Sequence, residues 1–233
     1  MDPIDTGSRI AIVDYGMGNL HSVRKAFEAC GGEAALARDP AEVARADALV
    51  VPGVGSFGDC VENLARAGLK DAIAACIGSG RPYLGICLGL QILFSSSEEA
   101  PGTPGLGIIP GKVRKFAGSL KVPHMGWNTI RLAGRGGGET AGAGCCPLFR
   151  GIEDGAYVYF VHSFYPEPED EAVTAAVTEY GVPFASAIWN GNLMATQFHP
   201  EKSQRVGLAM IRNFVAFASA RAAAGREAPG GAR

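Results

Sequence analysis

The chain has 233 residues, 47% of them hydrophobic and 19% charged, and a formal charge of −2. That length and composition suit a globular chain of one large domain or two small ones. The near-neutral charge argues against nucleic acid or an anionic membrane as partner, and no apolar run approaches the ~20 residues of a membrane span.

The leader, residues 1–8, carries acids where a secretory signal would carry basic residues, and it is expected to be flexible. A cytoplasmic protein is therefore expected. Residues 9–13 (RIAIV) read as a short buried strand, followed by DYGMGN and an amphipathic helix over 20–30. The third glycine of a dinucleotide fingerprint is missing, since His21 stands there, so DYGMGN reads as a tight turn. A second strand is expected at 33–37, a helical turn at 40–44 and a third strand at 48–51, which ends in Pro52-Gly53-Val54-Gly55. Two helical pieces follow, 59–67 and 69–77, broken near Gly68. Strands alternating with helices imply parallel units with right-handed crossovers.

Residues 82–94 (PYLGICLGLQILF) combine a buried strand, 82–86, a glycine-flanked Cys87 and an apolar helix from Leu88 to Phe94. A reactive side chain at a strand-to-helix bend is the nucleophile-elbow arrangement, with cysteine in place of serine. Unpaired N–H groups at a helix start favour a thiolate and can hold an oxyanion. The same stretch also suits a cysteine that only fills space in a core.

The second half changes character. Strands are expected at 111–116, 128–132, 156–161, 173–179, 184–189 and 193–197, joined as antiparallel hairpins, with Asn190-Gly191 as one turn. A final helix is expected over 201–220. The glycine-rich stretch 134–144 and the tail 221–233 have little to bury and are expected to be loose. The fold class is then α/β, a mixed sheet that is parallel early and antiparallel late, flanked by helices, in one domain over 9–220.

A cysteine nucleophile needs a base that is its neighbour in space. The chain has six cysteines and four histidines. None of the cysteines forms a CxxC pair and the histidines lack zinc-ligand spacing, so no metal is expected. His199 follows a predicted strand and precedes the last helix. Open α/β sheets gather function beyond the carboxyl ends of their strands, where Cys87 and His199 both fall. Glu201 stands two residues on, across Pro200, where it can orient the imidazole, although His-Pro-Glu alone also suits a helix start with an acid near its N-terminus. Gly53 and Val54 offer backbone N–H groups for a second half of an oxyanion hole, and Gly53 and Gly55 equally suit an ordinary strand-to-helix turn.

Five segments together resemble the class I glutamine amidotransferases: PGVGSF at 52–57, GICLGLQ at 85–91, PHMGWN at 123–128, YFVHSF at 159–164 and QFHPEKS at 197–203. Within that family the set is similar to the glutaminase subunits of imidazole glycerol phosphate synthase, over about residues 10–217. The resemblance implies a flavodoxin-like amidotransferase fold with no cofactor. It implies a triad of Cys87, His199 and Glu201, oxyanion donors from Gly53, Val54 and Leu88, and glutamine contacts from Gly55, Gln91, His162 and Ser163. It also implies a (β/α)₈-barrel cyclase as partner, met by Pro123, His124, Met125, Gly126, Trp127 and Asn128. A purely structural role for His162 and a core position for Trp127 stay open.

Overall fold

Every residue of the first strand, β1 (Ile10–Val13), is buried, and alternate side chains enter opposite cores: Ile10 and Ile12 one, Ala11 and Val13 the other. A sheet covered on both faces calls for such uninterrupted apolar strands. The computed structural model describes residues 8–118, 120–133 and 145–227. The stretches 1–7, 134–144 and 228–233, which include most of the expected leader, the glycine-rich loop and the end of the tail, lie outside the described residues.

Helix α1 (Leu20–Ala29) starts at Asn19, whose side chain accepts from the Ser22 amide. Strand β2 (Ala34–Ala37) follows, then α2 (Pro40–Arg45), capped by Asp39 and opened by Pro40 at the position where a missing N–H costs nothing. Next come β3 (Ala48–Gly53), α3 (Phe57–Arg66) with Ser56 as its cap, α4 (Leu69–Gly78) and β4 (Tyr83–Cys87). A single turn, α5 (Leu88–Gln91), leads to β5 (Phe94–Ser97) and β6 (Ile109–Lys115). The later strands are β7 (His124–Thr129), β8 (Arg131–Leu132), β9 (Tyr157–His162), β10 (Phe164–Pro168), β11 (Thr174–Tyr180), β12 (Val182–Asn190) and β13 (Leu193–Thr196). Helix α6 (Gln204–Glu227) closes the chain. It packs on α1, where Phe27 meets Phe214 edge-on with ring centroids 6.1 Å apart.

The main sheet has eight strands in the order β2-β1-β3-β4-β13-β12-β11-β8. The run from β2 to β13 is parallel, and β12, β11 and β8 add antiparallel pairs. The α/β class and the mixed sheet with helices on it are as the sequence predicts. The expectation of one sheet needs correction. Strands β10, β6 and β5 form a second sheet, and β7 with β9 a third.

Three further expectations are corrected. The helix from Leu88 to Phe94 stops after one turn, because the carbonyls of Ile92 and Leu93 take the amides of Leu106, Ile108 and Ile109. A short apolar run suits helix or strand equally, and a nearby strand partner decides it. The hairpin turn between β12 and β13 is Gly191-Asn192, one position later than Asn190-Gly191, since Asn190 pairs with Leu193. The last helix starts at Gln204 after a 3-10 turn, Pro200–Lys202, and continues to Glu227, so residues 221–227 are helix where a loose tail is expected. At the other end Ser8 is buried, with its hydroxyl 3.3 Å from that of Ser219 on α6, so the leader is tied down from there.

Candidate active site

Strands β3, β4 and β13 lie side by side and parallel, so their carboxyl ends open on the same edge of the sheet. Register places Gly53 beside Cys87 and Thr196 beside Ile86. Residues distant in sequence thereby meet: Gly53 ending β3 with Val54 after it, Cys87 ending β4, and Gln197 to Glu201 after β13.

Cys87 is 6% exposed and has φ 56 and ψ −105. For a residue with a Cβ this backbone costs about 1–3 kcal/mol, and the surroundings must impose it. They do so by crowding. A Cβ on Gly89 would sit on the Val51 carbonyl oxygen, so α5 approaches β3 at a distance only glycine allows. A Cβ on Gly53 would lie 2.5 Å from the Tyr15 hydroxyl and 2.6 Å from the Leu88 Cβ. The Tyr15 hydroxyl donates to the Pro52 carbonyl at 2.8 Å and accepts from the Cys60 thiol at 3.3 Å, which ties down the strand end before Gly53. Val54 is partly exposed, Leu88 is buried at the start of α5, and Gly55 has φ 100 beside Met17.

His199 and Glu201 are both buried, with side chains 3% and 2% exposed. The imidazole Nδ1–H donates to Glu201 Oε1 at 2.8 Å, across the short turn at Pro200. His199 Nε2 is buried and makes no aligned hydrogen bond among the described residues. Burial by itself lowers the histidine pKa. The Cys87 sulfur and the Glu201 carboxylate outweigh it and raise the value to about 9, which favours imidazolium. The Cys87 sulfur is thus an electrostatic neighbour of the His199 ring, although Nε2 has no hydrogen-bond partner among the described residues. Glu201 Oε2 is also buried without a partner among the described residues.

The residues expected to grip glutamine are placed differently from one another. Gln91 is buried, and its Nε2 donates to Gln197 Oε1 at 3.0 Å and to the Phe164 carbonyl at 3.1 Å. His162 is buried with both ring nitrogens engaged, Nδ1 on the Phe164 carbonyl at 2.8 Å and Nε2 on His124 Nδ1 at 2.9 Å. Both nitrogens are thus engaged within the chain, which ties the His162 ring into the packing beside the site. Ser163 lies at the bend between β9 and β10, where its carbonyl accepts from Phe116. Burial pushes the His162 pKa down to about 3 and that of His124 to about 4, so both rings are neutral at pH 7. Sequence reasoning missed Gln197 as a site residue. Its Nε2 donates to Cys87 Sγ at 3.5 Å, and the only sequence signal was its place at the start of QFHPEKS.

The expected partner segment divides by the two-residue period of a strand. On β7, His124 turns inward, stacked on Phe160 and Tyr180, and Asn128 bonds to it. Met125 and Trp127 face out, 63% and 47% exposed, which removes the reading of Trp127 as core. Pro123 precedes the strand, and Gly126 stands within it at φ 130.

The profile of the family described as glutamine amidotransferase class-I matches residues 11–217. The chain belongs to this family. It is 52% identical to "Imidazole glycerol phosphate synthase subunit HisH" of Syntrophotalea carbinolica, over 88% of this chain and 98% of that one. It is 50% identical to the protein of that name from Geobacter sulfurreducens, over 89% and 98%. The fold matches the solved "Structure of PurLQS from Thermotoga maritima" with a TM-score of 0.68 at 19% identity, covering 90% of this chain and 98% of that chain. Membership of the amidotransferases makes the protein an enzyme. No described helix is long and apolar enough to cross a membrane.

Proposed function

We propose that the chain is the glutaminase subunit of an imidazole glycerol phosphate synthase. It hydrolyses L-glutamine to glutamate and ammonia, and passes the ammonia to a (β/α)₈-barrel cyclase subunit. That subunit makes imidazole glycerol phosphate and AICAR from PRFAR. The observation that carries this reading is identity of about half, over nearly the full length of both chains, with proteins so named.

The triad assignment is consistent with the geometry. Cys87 Sγ attacks the γ-carboxamide carbon. His199 Nε2 delivers a proton to the departing ammonia, leaving a thioester. A water then loses a proton to His199 and attacks the thioester, releasing glutamate. Glu201 holds the Nδ1–H and so keeps Nε2 toward the sulfur. The backbone N–H of Leu88 and a donor from the Gly53-Val54 turn receive the oxyanion. One such donor contributes about 3 kcal/mol to the transition state.

Ammonia is protonated in neutral water and loses its nucleophilicity, so the reaction belongs beside its acceptor. Met125 and Trp127 give β7 a large apolar outer face, and Trp is over-represented among residues that dominate binding. The cytoplasm, where amino-acid biosynthesis has its substrates, is the proposed location.

The test is reconstitution. Mixed with a purified (β/α)₈ cyclase, the chain is expected to co-elute as a heterodimer and to confer glutamine-dependent conversion of PRFAR. Separate elution, with conversion that remains dependent on added ammonia salts, would overturn the reading.

A further inference from the structure

We propose that Gln197 is a positioning residue for Cys87, and that its orientation is dictated from outside the triad by the backbone carbonyl of Phe164. The proposal rests on the reading of Cys87 as nucleophile.

The argument is one of hydrogen-bond polarity. A carbonyl oxygen can only accept. The Phe164 carbonyl takes two donors, His162 Nδ1–H at 2.8 Å and Gln91 Nε2 at 3.1 Å. The second fixes which way the Gln91 amide points. The same Nε2 donates to Gln197 Oε1 at 3.0 Å, so the Gln197 oxygen faces Gln91 and its NH₂ faces the sulfur. That NH₂ lies 3.5 Å from Cys87 Sγ. Gln197 is fully buried and Gln91 nearly so, leaving no water to replace these bonds.

The other branch agrees. Since His162 Nδ1 must carry hydrogen, its neutral ring accepts at Nε2, from His124 Nδ1–H at 2.9 Å. His124 then accepts at Nε2 from Asn128 Nδ2 at 3.2 Å. The Asn128 amide is independently fixed in that sense. Its Nδ2 donates to the Glu179 carbonyl at 3.0 Å and its Oδ1 accepts from the Thr129 amide at 2.8 Å. Every link from the partly exposed Asn128 to the sulfur is therefore assigned without a frustrated contact: one run of donors converges on the Phe164 carbonyl through His162, and Gln91, which donates to the same carbonyl, starts a second run through Gln197 to the sulfur. A donor at the sulfur supports the thiolate form and limits where Sγ can swing relative to His199. Gln197 acts on the reaction through Cys87.

The test uses the full chain and the rate of alkylation by iodoacetamide against pH, resolved by cysteine through peptide mass spectrometry. Cys145, exposed and remote from this chain of bonds, is the internal reference. Gln197→Met keeps the volume and removes the donor. A hydrogen bond to a charged group is worth roughly one to two pH units. The midpoint of the Cys87 curve is expected to move up by about that much while the Cys145 curve stays put. The kcat for glutamine is expected to fall roughly tenfold or more, and in Gln197→Glu, which keeps the hydrogen bond to Gln91, KM is expected to stay within about threefold. If Gln197→Met does not fold, Gln197→Glu keeps shape and hydrogen-bonds to Gln91 while replacing the donor, and the same upward move is expected. Superimposable Cys87 curves, or a move to lower pH, in a folded variant would overturn the proposal. Failure of the proposed function would look different: no glutamine turnover in either protein, with the alkylation shift still present.

Discussion

Replacing Cys87 with alanine is expected to abolish glutamine hydrolysis while the complex with the cyclase still converts PRFAR using added ammonia. Loss of a covalent nucleophile costs on the order of a millionfold in kcat, which takes the reaction below detection. The fold should survive. Alanine is smaller than cysteine, and the strained backbone at position 87 is imposed by the close approach of Gly89 to Val51 rather than by the sulfur. The ammonia-dependent reaction needs none of the triad, since it starts where the glutaminase ends. The comparison is made by steady-state assay of one complex with each nitrogen source. Loss of both activities, in a complex that still forms, would mean that the two chemistries are not divided between the subunits.

With His199 as the proposed base, Glu201→Gln is expected to lower kcat on the order of a thousandfold to ten-thousandfold, as for a catalytic histidine deprived of its orienting carboxylate. A glutamine amide can meet His199 Nδ1 with its oxygen, which leaves its NH₂ in the place of a buried, unpartnered oxygen. It can instead meet Nδ1 with its NH₂, which reverses the tautomer and puts a hydrogen on Nε2. Neither supplies the negative charge that favours imidazolium.

The same substitution has a signature in stability. The folded-state pKa of His199 is raised to about 9, above an unfolded value of about 6.5. Such a group contributes stability that is fully present below about pH 6.5 and lost as pH rises through about 9. The span corresponds to about 3 kcal/mol at most. Buried Cys60 and Cys76, pushed up by burial to about 12 and about 11, add a loss above pH 8 in both proteins. His124 and His162 carry the opposite sign: their stability is present above about pH 6.5 and fades as pH falls toward their depressed values. The His199 contribution is therefore read as a difference. Between pH 6.5 and 9, denaturant midpoints of the native chain should fall more steeply than those of Glu201→Gln. Parallel curves would show that Glu201 does not hold the charge on His199.

Much of the site was legible because its parts are local. Gly85, Cys87 and Gly89 announce a bend, and His199-Pro200-Glu201 places an acid two residues from a base. The parallel pairing of β4 with β13 then brings the two strand ends together, a pairing the antiparallel reading of 193–197 does not contain although both residues fall at carboxyl ends of strands. What sequence could not give depends on partners distant in the chain. The stretch after Gln91 has the apolarity of a helix, but its carbonyls are claimed by residues 106–109 and it turns into a strand. His162 reads as ligand or as structure from sequence, and its bonds to His124 and the Phe164 carbonyl come from segments that sequence does not place beside it. Trp127 reads equally as core or surface until the pairing of β7 with β9 fixes which alternate side chains face out. Gln197 carries no local signal of its orientation, because that is set by a carbonyl delivered from a different sheet.

The claim on which the rest depends is that the sulfur at position 87 attacks a glutamine side chain. It is tested most directly by exposing the native complex to a glutamine-mimicking electrophile and mapping the adduct by mass spectrometry, with and without excess L-glutamine. The account predicts one adduct per chain, on Cys87, suppressed by glutamine and absent in His199→Ala. An adduct on another cysteine, or labelling of Cys87 that glutamine does not suppress, would contradict it.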